Sequence, residues 1–410
     1  MTIVEFFSKN ALENVAGALL CRPDRVILVG DDRRRMERCA RLYQSILRER
    51  GLSTEFICMS VNPYDLQGII RGLGELAETY GDCVFDLTGG DELYLVAVGV
   101  MMERCPGRIE CHRFNFRSDK LVDCDANGRI CQTGSFDLSV EDAIRICGGK
   151  VVRDAKDRKG KAFWELTPEL WRDVEAMWAL CRKDPRGWNV QTAALSQLLY
   201  QFGAEGGMTL SVDTEIAGAE LKKRGLRVAS LSGMLKALQA NGLISSLSLR
   251  KTLSFRIKNE QVKRCLTVAG QILELMVAFG LQALRDKKGK PIYHEVRVGV
   301  VIDWKGLNTQ ESKQIVNEID VVAMNGAIPL FVSCKNGEFN VDELYKLNTV
   351  TEYFGAPYAK MALVAADMSS LGDRADYLKS RMSRLGIRYI PNAEELDVGD
   401  FEKKLKPLGQ

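Results

Sequence analysis

The sequence is poor in histidine. Its 410 residues contain only His112 and His294, and no two cysteines are spaced as CxxC. A structural zinc site needs closely paired Cys or His ligands, which this sequence does not offer. A Ser-His or Cys-His nucleophile would have to use one of the two histidines. Any hydrolytic activity is therefore expected to use carboxylates and a hard cation.

Long apolar runs and a strong charge excess are also missing. No run approaches the roughly 20 residues of a membrane span, and the N-terminal segment MTIVEFFSKN lacks the apolar stretch of a signal peptide. The net charge of +3 means that any nucleic-acid contact must use a local patch. The twelve cysteines are scattered, and a chain of this length does not need disulfides. We expect reduced thiols and a cytoplasmic location.

Residues 1–150 alternate between apolar strands and amphipathic helices. Strands are predicted at 25–30, 54–60, 83–89 and 109–116, with helices between them. This βαβ order predicts an α/β fold with a parallel sheet covered by helices on both faces. A dinucleotide fingerprint would place GxGxxG after the first strand, where this chain has VGDDRRRM, so that class of site is excluded.

The rest of the chain predicts two further regions, since 410 residues suit two or three domains. Residues 151–260 have Trp-rich helices, then a helix at 228–244 and two short strands, which suits either a winged-helix-like element or a plain α/β connector. Residues 261–410 return to an α/β pattern. It has predicted helices at 266–284 and 341–354, and predicted strands near 293–302, 318–324, 329–334, 360–365 and 388–390.

The segment 317–337, NEIDVVAMNGAIPLFVSCKNG, carries the most chemistry. Two strands joined at Asn325-Gly326 are expected. Because side chains alternate across a strand, Glu318 and Asp320 should share one face, as should Ser333 and Lys335. Burying a lysine opposite carboxylates is costly, so a function is indicated. This geometry suits a metal-dependent phosphodiesterase.

Glu274 lies among the apolar residues of the helix that precedes these strands. We expect Glu274, Asp320 and the carbonyl oxygen of Cys334 to hold Mg²⁺ or Mn²⁺. Lys335 would orient or help deprotonate the attacking water and stabilise charge on the phosphate. The structural alternatives are a snorkelling Glu274, a strand-edge Asp320 and a turn-flanking Lys335.

The helix glutamate, the strand aspartate and a strand ending in Cys334-Lys335 resemble the PD-(D/E)xK nuclease core. In detail, IDVV…LFVSCKNG resembles the C-terminal domain of CRISPR ancillary nucleases that carry an N-terminal CARF domain. This chain departs from the pattern at Ser333, where the family usually has an acidic residue. A serine hydroxyl is a weak, neutral metal ligand, and Glu318 could compensate for it.

The N-terminal sheet predicts a second site, because ligands of open parallel sheets bind beyond the carboxyl ends of the strands. The loops there contain nine candidate binding residues: Gly30, Asp31, Asp32, Ser60, Asn62, Thr88, Gly89, Gly90 and Asp91. A glycine pair before a helix exposes N–H groups suited to phosphate or ribose oxygens. The DLTGG segment resembles CARF domains, which bind cyclic oligoadenylates.

The resemblance implies a CARF-like domain at 1–150, a connector that is possibly winged-helix-like at 151–260, and a restriction-endonuclease-like α/β domain at 261–410. It further implies a homodimer of type III CRISPR antiviral defence. Cyclic tetra-adenylate would be the allosteric activator, and DNA, RNA or both would be cleaved. The alternative is a CARF-regulated, DNA-binding transcription regulator with an inactive nuclease-like domain. A ring nuclease is a weaker third candidate, because DLTGG offers no evident base.

Overall fold

The computed structural model describes residues 1–105, 109–118, 120–124, 130–133, 136–152, 164–304, 316–355, 357–367, 372 and 374–409. These residues form three β-sheets with helices packed on them, so the predicted α/β class is confirmed. Among the residues described, no helix combines the length and apolar character needed to cross a bilayer.

The first sheet has seven strands in the order β3-β2-β1-β4-β5-β6-β7, and β1 to β5 run parallel. Its elements are β1 (Thr2–Phe6), α1 (Glu13–Cys21), β2 (Arg25–Gly30), α2 (Arg33–Glu49), β3 (Glu55–Ser60), α3 (Leu66–Tyr80), β4 (Cys83–Asp86), α4 (Glu92–Arg104), β5 (Glu110–Asn115), β6 (Lys120–Asp123), β7 (Ile130–Thr133) and α5 (Val140–Ile146).

Strand β1 corrects the prediction that the sheet begins at residue 25. Thr2–Phe6 is buried along its whole length and pairs with β2 on one side and β4 on the other. The strand was not recognised as an apolar run because it is short and contains the charged residue Glu5. Strands β6 and β7 were also not predicted, and they pair antiparallel. The parallel sheet therefore has one more central strand than expected.

The second sheet has the order β11-β12-β10-β9. Its region comprises α6 (Pro168–Cys181), α7 (Pro185–Phe202), β9 (Gly203–Ala204), β10 (Thr209–Asp213), α8 (Thr214–Lys222), α9 (Val228–Ala240), β11 (Ile244–Leu249), β12 (Thr252–Ile257) and α10 (Glu260–Thr267). From α7 to β12 the order is a helix, the two-residue strand β9, strand β10, two helices and a hairpin; apart from β9, this is the order of a winged helix. Residues 153–163, at the start of the predicted connector, lie outside the described part of the chain.

The third sheet has the order β17-β16-β15-β14-β13-β8. Its elements are β8 (Lys150–Val151), α11 (Gln271–Ala283), β13 (Glu295–Asp303), β14 (Val316–Asn325), β15 (Ile328–Asn336), α12 (Val341–Phe354), β16 (Lys360–Ala366), α13 (Arg374–Arg384), β17 (Arg388–Ile390) and α14 (Val398–Leu405). The predicted turn is confirmed, because Asn325 pairs with Ile328 and Gly326 has a φ of 60°.

The helix predicted at 266–284 is instead two helices. Helix α10 ends at Thr267, and α11 begins after Gly270, whose φ of 83° belongs to the left-handed region. Glycine adopts this conformation without the steric cost that other residues meet. The break sets the start of α11, and therefore the position of Glu274 in its first turn.

The third sheet lies between the other two regions. One face, with Ile302 and Phe331, shares a hydrophobic core with Leu138 and Ile144 of the N-terminal region. The other face carries Val321 and shares a second core with the middle helices. Burial of apolar side chains on both faces stabilises this arrangement. The third sheet as a whole is therefore in contact with both neighbouring regions.

Candidate functional site

The strands β14 and β15 part at Asp320. Their paired residues run from Asn325 and Ile328 to Val321 and Val332. Beyond that point, Asp320 Oδ2 accepts hydrogen bonds from the Cys334 backbone N–H at 2.6 Å and from the Ser333 hydroxyl at 3.2 Å. The aspartate side chain thus satisfies a strand N–H that a neighbouring carbonyl would otherwise bind.

Burial makes charge on Asp320 costly. Desolvation raises the pKa of this carboxyl, although the Cys334 N–H, the Lys335 charge and the Ser333 hydroxyl all act to lower it. A buried carboxylate with incomplete compensation favours a nearby cation. This is the electrostatic condition expected of a metal ligand.

Lys335 forms its ion pair with Glu343 of α12, with 2.8 Å between Nζ and Oε2. Lys335 was predicted to face the β14 carboxylates; the charge of Asp320 does act on it, but its ion-pair partner, Glu343, was not predicted. Burial lowers the pKa of Lys335, but the hydrogen bond to Glu343 and the charge of Asp320 outweigh it, so the pKa is raised. Lys335 is therefore held as an ammonium ion, which suits stabilisation of phosphate charge better than removal of a proton from water.

Glu318 does not follow the simple alternation from which its role was predicted. Ile319 and Val321 would share a face in a regular strand, yet they belong to different hydrophobic cores. The adjacent strand is irregular at Gly299, whose φ is 66°. The charge of Glu318 still raises the pKa of Asp320. The alternation of side chains therefore does not establish that Glu318 and Asp320 share a face, because the alternation is interrupted in this part of β14.

Glu274 approaches from α11. Its Oε2 accepts a hydrogen bond of 2.8 Å from Gln271 Nε2, and α11 packs in the same core as the Cys334 side chain. Burial raises the pKa of the Cys334 thiol, and the charges of Asp320 and Glu274 raise it further. Both predicted carboxylate ligands therefore act electrostatically on the residue whose carbonyl oxygen is the third predicted ligand.

The donor set fits a hard cation with few protein ligands. Within the described ranges, no three His, Cys, Asp or Glu side chains are grouped as a metal site. Mg²⁺ is commonly held by one or two carboxylates, with water and substrate phosphate completing its octahedron. Two carboxylates and a carbonyl oxygen are the types of ligand that such a cation takes. These residues do not make up a metal site that is fully enclosed by protein ligands.

A pair of asparagines joins the middle region to the end of β15. Asn189 Nδ2 donates to the Asn336 carbonyl oxygen, and Asn336 Nδ2 donates to Asn189 Oδ1, both at 3.0 Å. Asn336 directly follows Lys335. Neither asparagine was predicted, since a contact between residues 147 positions apart leaves no local pattern.

In the N-terminal sheet, the strand order reverses between β1 and β4. The loops that follow these strands at their carboxyl ends flank the crevice where such sheets bind ligands. The loop after β1 contains Ser8, the exposed Lys9 and Asn10, which sequence reasoning missed together with the strand. A Cβ added to Gly89 would lie 3.0 Å from the Ser8 Cβ, so the two loops are in contact.

Several predicted ligand residues have structural roles in the loops. Asp32, Asp91 and Asn62 each accept a hydrogen bond from a backbone N–H two or three residues further on. Thr88 is buried, and its Oγ1 accepts from the Phe114 N–H at 2.9 Å. The predicted contact of the Thr88 hydroxyl with a ligand is therefore not favoured.

The predicted glycines allow close approach of the chain. Gly90 has a φ of 103°, and a Cβ at this position would collide with Phe6. Gly30 closely approaches Phe7 and Met36. Asp31 and Ser60 are exposed at the same edge of the sheet. This leaves backbone N–H groups and exposed polar side chains at the carboxyl ends of β1 to β4.

Glu13 connects the β1 loop to the C-terminal region. Its Oε2 accepts from the Ser8 hydroxyl at 2.6 Å, and its Oε1 accepts from the Tyr358 hydroxyl at 2.9 Å. Tyr358 lies two residues before β16, which pairs with β15. One carboxylate therefore bonds both the edge of the first sheet and the segment that leads into the third.

Three titratable side chains are buried beneath the same edge. Glu5 and Asp86 are paired in register on β1 and β4, and His112 lies opposite Asp86 on β5. His112 Nε2 is 3.2 Å from Asp86 Oδ2. Burial, together with the charge of Asp86, raises the pKa of Glu5 well above its usual value. Burial therefore favours the neutral form of the Glu5 carboxyl.

Comparison with known proteins shows a likeness in structure. No protein-family model and no curated protein sequence matches the chain. The solved structure of protein VC1899 from Vibrio cholerae has a TM-score of 0.74 and 18% identity, covering 99% of this chain and 97% of that one. Can2 from Sulfobacillus thermosulfidooxidans, solved in complex with cyclic tetra-adenylate, has a TM-score of 0.67 and 17% identity, covering 100% and 99%. The fold is therefore shared along the whole chain.

Proposed function

We propose that this chain is a metal-dependent nuclease of type III CRISPR antiviral defence that a cyclic oligoadenylate activates. The proposal of a nuclease rests on the point where β14 and β15 separate. There Asp320 accepts a hydrogen bond from the Cys334 N–H, and Lys335, the next residue of β15, is paired with Glu343. The activator part is supported by the fold shared with Can2, which was solved with cyclic tetra-adenylate. The chain would then consist of a CARF-like domain at 1–150, a winged-helix-like connector at 151–260 and a nuclease domain at 261–410.

The residues of the site have distinct roles in this proposal. Asp320, Glu274 and the Cys334 carbonyl oxygen would hold Mg²⁺ or Mn²⁺, which would supply a Lewis acid for the scissile phosphate. Lys335 stabilises negative charge on the phosphate, and Glu343 positions its ammonium group. Ser333 donates to Asp320 and so orients a ligand instead of serving as one. DNA, RNA or both would be cleaved.

The activator would bind at the reversal of strand order in the first sheet. Lys9 offers a positive charge there, and the Gly89-Gly90 segment leads into the N-terminus of α4, where backbone N–H groups favour phosphate oxygens. Cyclic tetra-adenylate is the activator we propose, since Can2 binds it on a shared fold.

A homodimer is supported by helix α4, which begins at this loop. Its Leu95 and Val96 are 39% and 49% exposed, although the opposite side of the helix is buried. A helix that is apolar all round is usually covered on both sides. A second copy packed on α4 would bring two activator loops together.

Glu13 is the contact through which the activator would act. A ligand that moves Ser8 alters a hydrogen bond to Glu13, which also holds Tyr358 beside β16. Activation requires only that the ligand bind one arrangement of these groups more tightly than the other. This gives the two sites a defined physical connection.

The second candidate is a ligand-responsive, DNA-binding regulator. The order of elements from α7 to β12 and the serine at position 333 favour it. In that case residues 261–410 would form a scaffold without activity. The two candidates differ in whether any nucleic acid is cut.

The test is cleavage of supercoiled plasmid, single-stranded DNA and single-stranded RNA with Mn²⁺, with and without cyclic tetra-adenylate. We expect activator-dependent cleavage that Lys335→Ala abolishes. Lys346→Ala is the matched control, because Lys346 pairs with the same Glu343 at 2.8 Å but is mostly exposed, and it should retain activity. Activator binding with no cleavage of any substrate would contradict the nuclease and leave the regulator.

A further inference from the structure

Positive charge is concentrated in one segment of the middle region. Residues 221–258 contain nine lysines and arginines and no aspartate or glutamate, although the whole chain carries only +3. Such an asymmetry marks a local electrostatic surface.

Three of the nine cations form ion pairs within the fold. Lys223 pairs with Glu220, Arg256 with Glu205, and Lys258 with Asp173, at 2.6 to 2.9 Å. The other six are exposed and have no ion pair with any described residue; we call them the basic surface: Lys222, Arg224, Arg227, Lys236, Arg250 and Lys251. Their charge is available to a ligand.

The hairpin turn is fixed beside the first helix of the pair. The Thr214 hydroxyl donates to the Arg250 carbonyl oxygen at 2.7 Å, and the Thr214 N–H donates to the Lys251 carbonyl oxygen at 3.0 Å. Thr214 is the first residue of α8, which ends at Lys222, about 12 Å further along its axis. The short helix α8 therefore connects the hairpin turn between β11 and β12 to the segment that leads into α9.

Helix α9 lies with its start toward the hairpin turn. The helix packs along β11, and the chain reverses between them at Gly242, so its C-terminus is at the opposite end of the hairpin. Arg227, at the N-cap, is consequently on the same side as Arg250 and Lys251. Lys236 follows on the exposed side of α9. The six cations thus border one exposed helix and the adjacent hairpin turn.

We propose that the basic surface binds duplex DNA, with α9 in the major groove and the hairpin turn on the neighbouring backbone. The groove of B-DNA is about 12 Å wide and admits a helix, whereas the deep, narrow major groove of duplex RNA does not. Lysine and arginine contacts to phosphate position a protein without reading sequence. Few exposed side chains of α9 are able to reach base edges, namely those of Ser230, Lys236 and Gln239, and its other exposed positions are alanine or glycine, so the binding has little sequence preference.

This surface belongs to a region that is bonded to the candidate active site. Helix α7 starts the winged-helix order of elements, and its Asn189 bonds Asn336, the neighbour of Lys335. Duplex held on the basic surface is therefore held by a region fixed to the strand that carries Lys335. The assignment of this DNA as a substrate rests on the proposed nuclease function, whereas its binding does not.

The experiment is fluorescence anisotropy of the full chain with labelled 30-base-pair duplexes of unrelated sequence, in EDTA so that cleavage cannot interfere. The variant is Arg227→Glu/Arg250→Glu/Lys251→Glu. The control is Arg374→Glu/Lys379→Glu/Arg384→Glu, which changes the charge equally at exposed positions of α13, a helix packed on the opposite face of the third sheet. Thermal melting verifies that both proteins are folded, and single Arg227→Ala and Lys251→Ala variants extend the series.

We expect the variant to lose at least tenfold in affinity at 100 mM salt and to show a shallower dependence on salt, because each lost phosphate contact removes about 0.9 from the logarithmic slope. The control should remain within about twofold of the wild type. Equal losses in variant and control, or equal affinity for duplex RNA, would overturn the proposal. DNA binding that depends on this surface in a protein that cuts nothing would support it and contradict only the nuclease.

Discussion

At the scale of residues, the contacts of two side chains, Ser333 and Lys335, distinguish the candidate site. Ser333 donates to Asp320, and Lys335 is paired with Glu343 from a neighbouring helix. The serine and the lysine were recognisable from the sequence, because their strand was. Glu343 was not, since only the fold places the first turn of α12 against the end of β15.

Glu343→Gln should lower kcat about 10- to 100-fold with little change in KM. The loss of the charged partner removes an interaction of about 1.5–3 kcal/mol with the ammonium group that stabilises the transition state. Without Glu343, burial also lowers the pKa of Lys335, so activity should decline at a lower pH than in the wild type. Steady-state rates from pH 6 to 10 measure both effects. An unchanged pH profile would contradict this role for Glu343.

Ser333→Asp should increase the response to metal. The serine hydroxyl lies 3.2 Å from Asp320 Oδ2, so a carboxylate there adds a like charge that only a cation relieves. We expect a lower melting temperature than the wild type in EDTA and a larger rise on addition of Mn²⁺. Ser333→Ala is the control for loss of the hydroxyl. A rise no larger than that of the wild type would place the metal elsewhere.

At the scale of elements, the sequence predicted regular pieces and missed those that depend on distant partners. The hairpin around Asn325-Gly326 was predicted because its turn residues and apolar runs are local signals. Strand β1 was missed because the buried Glu5 interrupts its apolar run, and only pairing with β2 and β4 makes it central. The bond between Glu13 and Tyr358 joins residues 345 positions apart, so no sequence pattern indicates it.

Glu5→Gln should remove part of the pH dependence of stability. Because the folded-state pKa of Glu5 is raised, its contribution is complete below the unfolded value of 4.5 and is lost as pH rises toward the folded value. The loss is about 1.4 kcal/mol per pH unit over that interval. The melting temperature of the variant relative to that of the wild type should therefore be higher at pH 8 than at pH 5. Parallel profiles for the two proteins would show that Glu5 is ionised in the fold.

Tyr358→Phe should uncouple the two sites. It removes the 2.9 Å hydrogen bond to Glu13 but leaves the bond from Ser8 in place. We expect unchanged affinity for cyclic tetra-adenylate and a reduction of about fivefold or more in activator-stimulated cleavage, the lower end of typical coupling energies. Tyr353→Phe, at an exposed position of α12, is the control. Full stimulation in Tyr358→Phe would exclude this contact as the connection.

At the scale of the whole molecule, the third sheet is the centre of the account. The N-terminal region covers one of its faces and the middle region the other. The order of the three regions along the chain was predicted from changes in sequence pattern. Their packing was not, because it depends on which faces are buried together.

The most direct test is the initial rate of DNA cleavage as cyclic tetra-adenylate is titrated at fixed Mn²⁺, with binding stoichiometry measured on the same protein. We predict negligible cleavage without activator, a saturable rise with it, and saturation at one activator per two chains. A cleavage rate that does not depend on the activator, despite stoichiometric binding, would contradict a nuclease controlled from the first sheet.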